Sequence, residues 1–194
     1  LDEKTGIPVY SLYGKTRKPT EEMLRSIDAL VYAIQDNGCR SYTFLSTLGM
    51  IMEAAAEFDK EVIVLDRPNP LGGEKVEGSL VEDGFISFVS QFKIPYMYGL
   101  TVGELALLLN GERMLKDGKQ CKLTVVKMEG WRRSMTYQDT KLPWILPSPQ
   151  QPQAISALFY PTTGILGELG YVSIGVGYTL PFQIACAPWI DAIK

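Results

Sequence analysis

Apolar residues along the first two-thirds of the chain recur with two different periods. Residues 29–35, 61–65 and 123–128 are short runs dominated by Ile, Val, Leu and Ala, the pattern of strands covered on both faces. Between them, residues 43–58 place Leu45, Leu48, Met52, Ala55 and Ala56 at helical spacing. Thr101-x-x-Glu104 has the capping-box form ahead of Leu105, Leu108 and Leu109, which predicts a helix running to residue 115. Thr20 reads as the N-cap of a further helix, with Glu21 and Glu22 in its electropositive first turn and Met23, Leu24 and Ile27 on its buried face. Residues 7–13 form a β-rich run ended by Gly14, which adds another expected strand. Strands alternating with amphipathic helices predict an α/β fold, Rossmann-like, with a mainly parallel sheet and helices on both faces.

The character of the chain changes after Gln138. Pro143, Pro147, Pro149 and Pro152 crowd a short stretch that cannot continue a sheet or helix and reads as an ordered linker. Residues 164–177 are dense in glycine with interleaved Ile, Leu, Val and Tyr, and are taken as the opening of a smaller second subdomain. The expected organisation is therefore a Rossmann-like domain over 1–142, followed by a linker and the beginning of a second domain over 143–194. The chain starts on Leu1 without an initiator Met and closes on Trp189-Ile190-Asp191 and three further residues. Both domains are accordingly expected to be incomplete.

Composition narrows the chemistry. Hydrophobic residues make up 46% and charged residues 21% of the chain, ordinary for a globular domain. A net charge of −3 provides no basic face for nucleic acid or an anionic membrane. No apolar run approaches the roughly 20 residues that would span a bilayer. Histidine is absent, so neither a Ser-His nor a Cys-His nucleophile pair, nor a His-ligated zinc site, can be built from this chain. Cys39, Cys121 and Cys186 have no metal-binding spacing and read as small buried hydrophobes. No glycine-rich phosphate-binding motif follows any strand, so no nucleotide cofactor is indicated, and neither a cofactor nor a metal is expected.

In open parallel sheets, ligands bind beyond the carboxyl ends of the strands, and polar residues gather there. One tip carries Gln35, Asp36, Arg40 and Tyr42, the next Asp66, Arg67 and Asn69 followed by Glu77, and the third Glu129, Trp131 and two arginines. Carboxylates, arginines and aromatic rings together suit a carbohydrate: rings take the sugar's C–H faces, carboxylates its hydroxyls, and arginine an anionic substituent. Glycoside hydrolysis needs two carboxyl groups at the scissile bond, one of them protonated. Each signal has a plain structural alternative. Asp36 could cap a helix, Asp66-Arg67 could be an internal ion pair, and Pro68 to Gly73 could be a tight turn.

At these residues the chain resembles the exo-β-N-acetylmuramidase family. The similarity is carried by Val9-Tyr10-Ser11-Leu12-Tyr13-Gly14, Ile34-Gln35-Asp36-x-Gly38-x-Arg40-x-Tyr42-Thr43 and Leu65-Asp66-Arg67-Pro68-Asn69-Pro70-Leu71-Gly72-Gly73. Val76-Glu77-Gly78, Gly99-Leu100-Thr101-Val102-Gly103-Glu104 and Gly130-Trp131-x-Arg133-x-Met135 extend it across nearly the whole chain. The resemblance implies a Rossmann-like domain and a smaller second domain, with a cleft that removes terminal N-acetylmuramic acid from peptidoglycan fragments without a cofactor, in a secreted or cell-envelope protein. Within it, Asp36 and Glu77 are the candidate catalytic acids, and Gln35, Arg40, Tyr42, Asp66, Arg67, Asn69, Trp131 and Glu168 the candidate substrate-binding residues. Family members also carry an upstream Gly-x-Glu-His-Gly motif, the leading candidate for the catalytic acid, which this chain does not match. The chain is therefore expected to be inactive alone and active within its parent. The alternative is a carbohydrate-binding paralogue without catalysis. Three positions depart from the family pattern: Ala33 stands where an acid is usual, and Ile174 and Val176 where a second acid and an arginine are usual.

Overall fold

The structure is a computed structural model and describes residues 1–192. Its centre is a three-stranded parallel sheet, β1 (Ala29–Tyr32), β2 (Glu61–Leu65) and β3 (Lys122–Val126), in the spatial order β1-β2-β3. Leu30, Val62 and Leu123 stand in register, and so do Tyr32, Val64 and Val125. With α1 (Glu21–Leu24), the long helices are α2 (Phe44–Glu57) and α3 (Val102–Gly111), which serve as the two crossovers. Leu45, Leu48 and Met52 of α2 and Leu105 and Leu109 of α3 close over Tyr32, Val62 and Val64 in one core. The expected parallel α/β architecture is what the chain adopts.

Both crossover helices lie on the same face of the sheet. The opposite face carries Val31, Leu65 and Val126, all substantially exposed. The expected helical cover on both faces is thus present on one face among the described residues. The rows of Ile and Val are continuous because both faces are apolar, whichever of them is covered here.

Two further expectations are corrected. Residues 7–13 form no strand; Ile7, Val9, Tyr10 and Tyr13 are exposed. Composition favoured a strand, but a strand needs a partner, and β1 pairs with β2 alone. Beyond the proline-rich stretch, α4 (Ala154–Gly167) is a helix despite Pro161 and Gly164, where only a linker and a glycine-rich opening were expected. It buries Ser156, Ala157 and Gly164 and packs Tyr160 against Tyr42 and Phe182. Cys39 is buried, but Cys186 is exposed, against expectation, and all three cysteines are free. No helix among the described residues is long and apolar enough to cross a membrane.

The junction between β2 and α3 fixes where the sheet edge meets the loops. Asp66 accepts from the Gly103 N–H (2.8 Å) and the Thr101 hydroxyl (2.8 Å), while Thr101 and Glu104 form the predicted capping box. Gly103 is required by this packing: a Cβ there would lie 2.6 Å from Val125 Cγ1 and 2.7 Å from Asp66 Cγ. Alanine would gain at most about 1 kcal/mol of helix propensity, whereas overpacking a closed contact costs about 1–3 kcal/mol. Gly103→Ala is therefore expected to lower the urea midpoint, and an unchanged or raised midpoint would show that the junction can relax.

Candidate functional site

Because all three strands are parallel, Asp36, Asp66 and Glu129 all follow carboxyl ends and lie along one edge of the sheet. Their surroundings differ. Several polar residues singled out in the sequence are engaged in holding the loops. Gln35 donates through Nε2 to the carbonyls of Pro68 (2.8 Å) and Asp36 (2.8 Å). Arg40 donates to the carbonyls of Ile94 and Ser79 and to the Ser90 hydroxyl. Asn69 is buried, with its Nδ2 on the Leu100 carbonyl (2.9 Å) and its Oδ1 receiving the Leu71 N–H (2.9 Å). Gly38 leaves room for Asn69, since a Cβ there would lie 2.4 Å from its Oδ1. Asp66 is the helix cap described above.

Other groups stay uncommitted. Arg67 is half-buried and donates through Nε to the Ala33 carbonyl (2.9 Å), but no carboxylate pairs with its guanidinium among the described residues. Its side chain lines a narrow crevice with Asp36, Asn69, Tyr98 and Leu100. Glu77 is exposed, and its backbone pairs with Met97, which also bridges Cys39. The 96–98 segment thus ties the Asp36 loop to the Glu77 loop. Trp131 stands between two cavities, one of about 290 Å³ bounded by Pro68, Met128 and Met135, and one of about 340 Å³ bounded by Asp66, Glu104 and Lys127. Its indole N–H is buried without a partner among the described residues.

Asp36 is the most perturbed acid at this edge. Burial raises its carboxyl to about 6, against hydrogen bonds from the Tyr98 hydroxyl and the Gly38 N–H that hold it lower. Its second oxygen, Oδ1, is buried and unpartnered. Nothing adjacent in sequence suggested an enclosed pocket around this acid; the structure supplies one by bringing Tyr98, 62 residues away, against it beside Tyr32 of β1.

Tyr98, Tyr96, Tyr160 and Ser41 were not foreseen. Ser41 donates to the Tyr96 hydroxyl (3.1 Å) and lies 3.4 Å from that of Tyr160. Tyr160, on α4, packs edge-on against Tyr42 (5.8 Å between centroids) and against Phe182 (4.9 Å). Glu168, exposed at the end of α4, is close enough that its charge adds to the burial that raises Tyr96 and Tyr160. Of the candidate residues, Tyr42 packs on α4 on the β1 side, and Trp131 stands on the β3 side. The available signal was the alternation Tyr96-Met97-Tyr98 in a loop, where paired aromatics need a reason other than a core strand. Of the departures, Ile174 packs against Gly167, where a Cβ would lie 2.5 Å from its Cδ1, and Val176 is exposed.

The raised Asp36 carboxyl has a consequence for stability. In the unfolded chain the group titrates near the ordinary aspartate value, so below about pH 4 it is protonated in both states. As pH rises toward 6 and beyond, the folded state must hold a buried charge, and stability falls by roughly 3 kcal/mol for a two-unit displacement. Asp36→Asn keeps an oxygen for Tyr98 and Gly38 but carries no charge. The gap in unfolding free energy between variant and wild type, from urea titrations at pH 5 and pH 8, is expected to move in the variant's favour at the higher pH. A gap that stays constant with pH would mean that Asp36 is solvated in the folded state.

Comparison with known proteins places this arrangement. The family model for the N-terminal part of exo-β-N-acetylmuramidase NamZ matches residues 1–155, and that for its C-terminal part matches residues 158–194. A peptidoglycan β-N-acetylmuramidase NamZ from Bacillus subtilis is 50% identical over all 194 residues, which cover 46% of its length. A crystal structure of a DUF1343 family protein from Bacteroides fragilis is 68% identical with a TM-score of 0.95, over 100% of this chain and 50% of that one. A second DUF1343 structure from the same organism is 36% identical, with a TM-score of 0.86 over 99% of this chain and 51% of that one. The chain spans about half the length of these relatives. On the family models and on identity along its whole length, the chain belongs to the exo-β-N-acetylmuramidase NamZ family.

Proposed function

We propose that this chain forms the Rossmann-like part and the beginning of the second domain of a glycoside hydrolase that releases terminal N-acetylmuramic acid from peptidoglycan fragments. The observation that carries the reading is Arg67. Arg40 is occupied by backbone carbonyls, and Arg133 by the carbonyls of Gly73 and Gly99 and by Glu104. Arg67 uses only its Nε, on the Ala33 carbonyl, and both its terminal nitrogens are without a protein partner among the described residues. Muramic acid differs from other hexosamines by a lactyl carboxylate, and a half-buried guanidinium is the group that would recognise it. The β-N-acetylmuramidase named among the relatives acts on peptidoglycan, which agrees with such a ligand.

Asp36 and Glu77 are the candidate acids within the chain. A carboxyl raised to about 6 is poised to hold a proton near neutrality, while Glu77 is open to solvent. Gln35, Arg40, Asp66 and Asn69 brace the loops, and Tyr42, Trp131 and Glu168 are the further candidates for contact with the saccharide. Binding without hydrolysis is the second reading, favoured by the enclosure of Asp36, whose free oxygen does not reach the surface.

The test uses the full-length protein on chromogenic β-glycosides of N-acetylmuramic acid and of N-acetylglucosamine, which lacks the lactyl group. Arg67→Ala is expected to weaken the muramic acid substrate by about 2–5 kcal/mol, the range for truncating one partner of a buried charge pair. Any activity on the neutral sugar should be little changed. Asp36→Asn and Glu77→Gln are each expected to lower kcat a hundredfold or more, on the order expected for an acid–base partner. Full turnover by both would remove the catalytic acids from this chain, and saccharide binding with no turnover by the wild type would select the binding reading.

A further inference from the structure

Tyr98 is buried with the core residues around Val62 and Leu105, and a buried phenol needs an acceptor. Its acceptor is a carboxylate oxygen, Oδ2 of the equally buried Asp36. The Gly38 N–H donates to the same oxygen (2.9 Å). An amide oxygen would serve Tyr98 without the cost of enclosing a group that ionises, so the pairing has its reason on the Asp36 side.

Two donors on one oxygen decide where a proton sits. An N–H only donates, and the protonated oxygen of a carboxyl group is a poor acceptor. With Gly38 and Tyr98 both donating to Oδ2, that atom is the carbonyl oxygen of the neutral acid, and the proton is held on Oδ1. Burial pushes the Tyr98 phenol well above its ordinary value, so it remains a donor whether Asp36 is charged or neutral. It bonds the charged form more strongly, and so opposes the burial that favours the neutral one.

The place of Tyr98 is set by the loop on which it acts. Met97 forms an antiparallel bridge with Cys39, and the Arg40 N–H reaches the Tyr96 carbonyl (2.8 Å), which lays residues 96–98 alongside the loop that follows Asp36. On the other flank, Gly99 has a φ of +64°, and a Cβ there would lie 2.8 Å from the Lys75 carbonyl oxygen. Asp36 and Tyr98 line one narrow crevice with Arg67 and Asn69, and Arg67 is the cation of that lining among the described residues. The other ionisable groups that feel Asp36 are Tyr32, Cys39 and Tyr42, each raised by burial and so uncharged near neutrality.

We infer that Tyr98 is a positioning residue for Asp36: with Gly38 it occupies Oδ2, confines the proton of the acid to Oδ1, and sets the pH above which that proton is lost. This inference rests on the reading of Asp36 as an acid and adds to it the residue that governs its protonation. An acid that must hold a proton loses activity as pH rises through its titration. In Tyr98→Phe the charged form loses a donor, the carboxyl titrates at higher pH, and the alkaline fall of kcat should move up with it.

The experiment measures kcat and KM of full-length wild type and Tyr98→Phe on the chromogenic N-acetylmuramic acid glycoside, from about pH 4 to about pH 9. Carbon-13 NMR follows the Asp36 carboxyl in the same proteins, its signal identified by its absence from Asp36→Asn. The alkaline limb of kcat and the Asp36 titration are both expected to rise by about one pH unit or more, the size of a lost hydrogen bond to a charged group. KM should stay within about threefold. A purely structural role would lower kcat or Tm and move neither titration. A folded, active Tyr98→Phe protein in which either one stays at the wild-type pH overturns the inference and leaves the proposed function standing. Full turnover by Asp36→Asn, or a wild type that neither binds nor hydrolyses the saccharide, overturns the acid reading and the inference with it. Should Tyr98→Phe misfold or lose all turnover, 3-fluorotyrosine at position 98 decides. Its more acidic phenol is a stronger donor, so a limb moved to lower pH supports the inference and an unmoved limb overturns it.

Discussion

The loops at the carboxyl edge of the sheet are irregular and in part buried, and their backbone carbonyls must still find donors; the rest of the site is arranged around that requirement. A buried carbonyl without a partner costs about 1–3 kcal/mol. Side chains supply the donors. Gln35 reaches Pro68, Asn69 reaches Leu100, Arg40 reaches Ser79 and Ile94, Arg67 reaches Ala33, and Arg133 reaches Gly73 and Gly99. Each bond crosses from one loop to another, and most bridge thirty residues or more. Polar residues that look like a binding surface in the sequence are in large part the scaffold of irregular backbone. Removing one of them would loosen the loops in addition to any contact it makes with a ligand.

This explains which parts of the molecule were legible in the sequence. Strands β2 and β3 and helices α2 and α3 were readable because their signals are local: an apolar run, a helical period, a capping box. The run at 7–13 misled because its composition was right but the partner strand it needed was a tertiary matter. Helix α4 was hidden by Pro161 and Gly164, local signals that packing against Phe182 and Ile174 overrides. At the edge of the sheet, residue type showed where polar groups gather, and not which of them are occupied. Asp66 illustrates the limit: the sequence offers an Asp-Arg pair, and the structure uses the carboxylate on Thr101 and Gly103 instead.

What survives as candidate chemistry is the remainder after the scaffold is satisfied. That remainder is Arg67 with the two terminal nitrogens of its guanidinium, Asp36 with one oxygen unpartnered, Trp131 with its indole N–H, and the exposed acids Glu77 and Glu168. Asp36 shows how the two roles join. One of its oxygens is held by Tyr98 and Gly38, which belongs to scaffolding. The enclosure those partners create raises the carboxyl and leaves it holding a proton closer to neutrality than an exposed aspartate would. The same burial therefore costs stability and supplies an acid, a conflict characteristic of functional sites.

The tyrosines extend this logic to residues that composition alone passes over. Tyr98 turns inward and is buried on Asp36, while Tyr96, two positions earlier in an extended segment, turns to the opposite side and stays half-exposed at the seam with α4. An alternation of period two, familiar from strands, here splits one tripeptide between a buried and a half-exposed side chain. The segment adopts that extended form because Met97 pairs on one side with Cys39 and on the other with Glu77. Gly78 permits the close approach: with φ at +84° and no side chain, it lets the Glu77 loop lie against Tyr96, where any Cβ would come within 2.6 Å. The position of Tyr96 thus depends on the same backbone pairing that presents Glu77. A change at Gly78 would displace a candidate acid and Tyr96 together, and the two residues are best regarded as one unit of the loop edge.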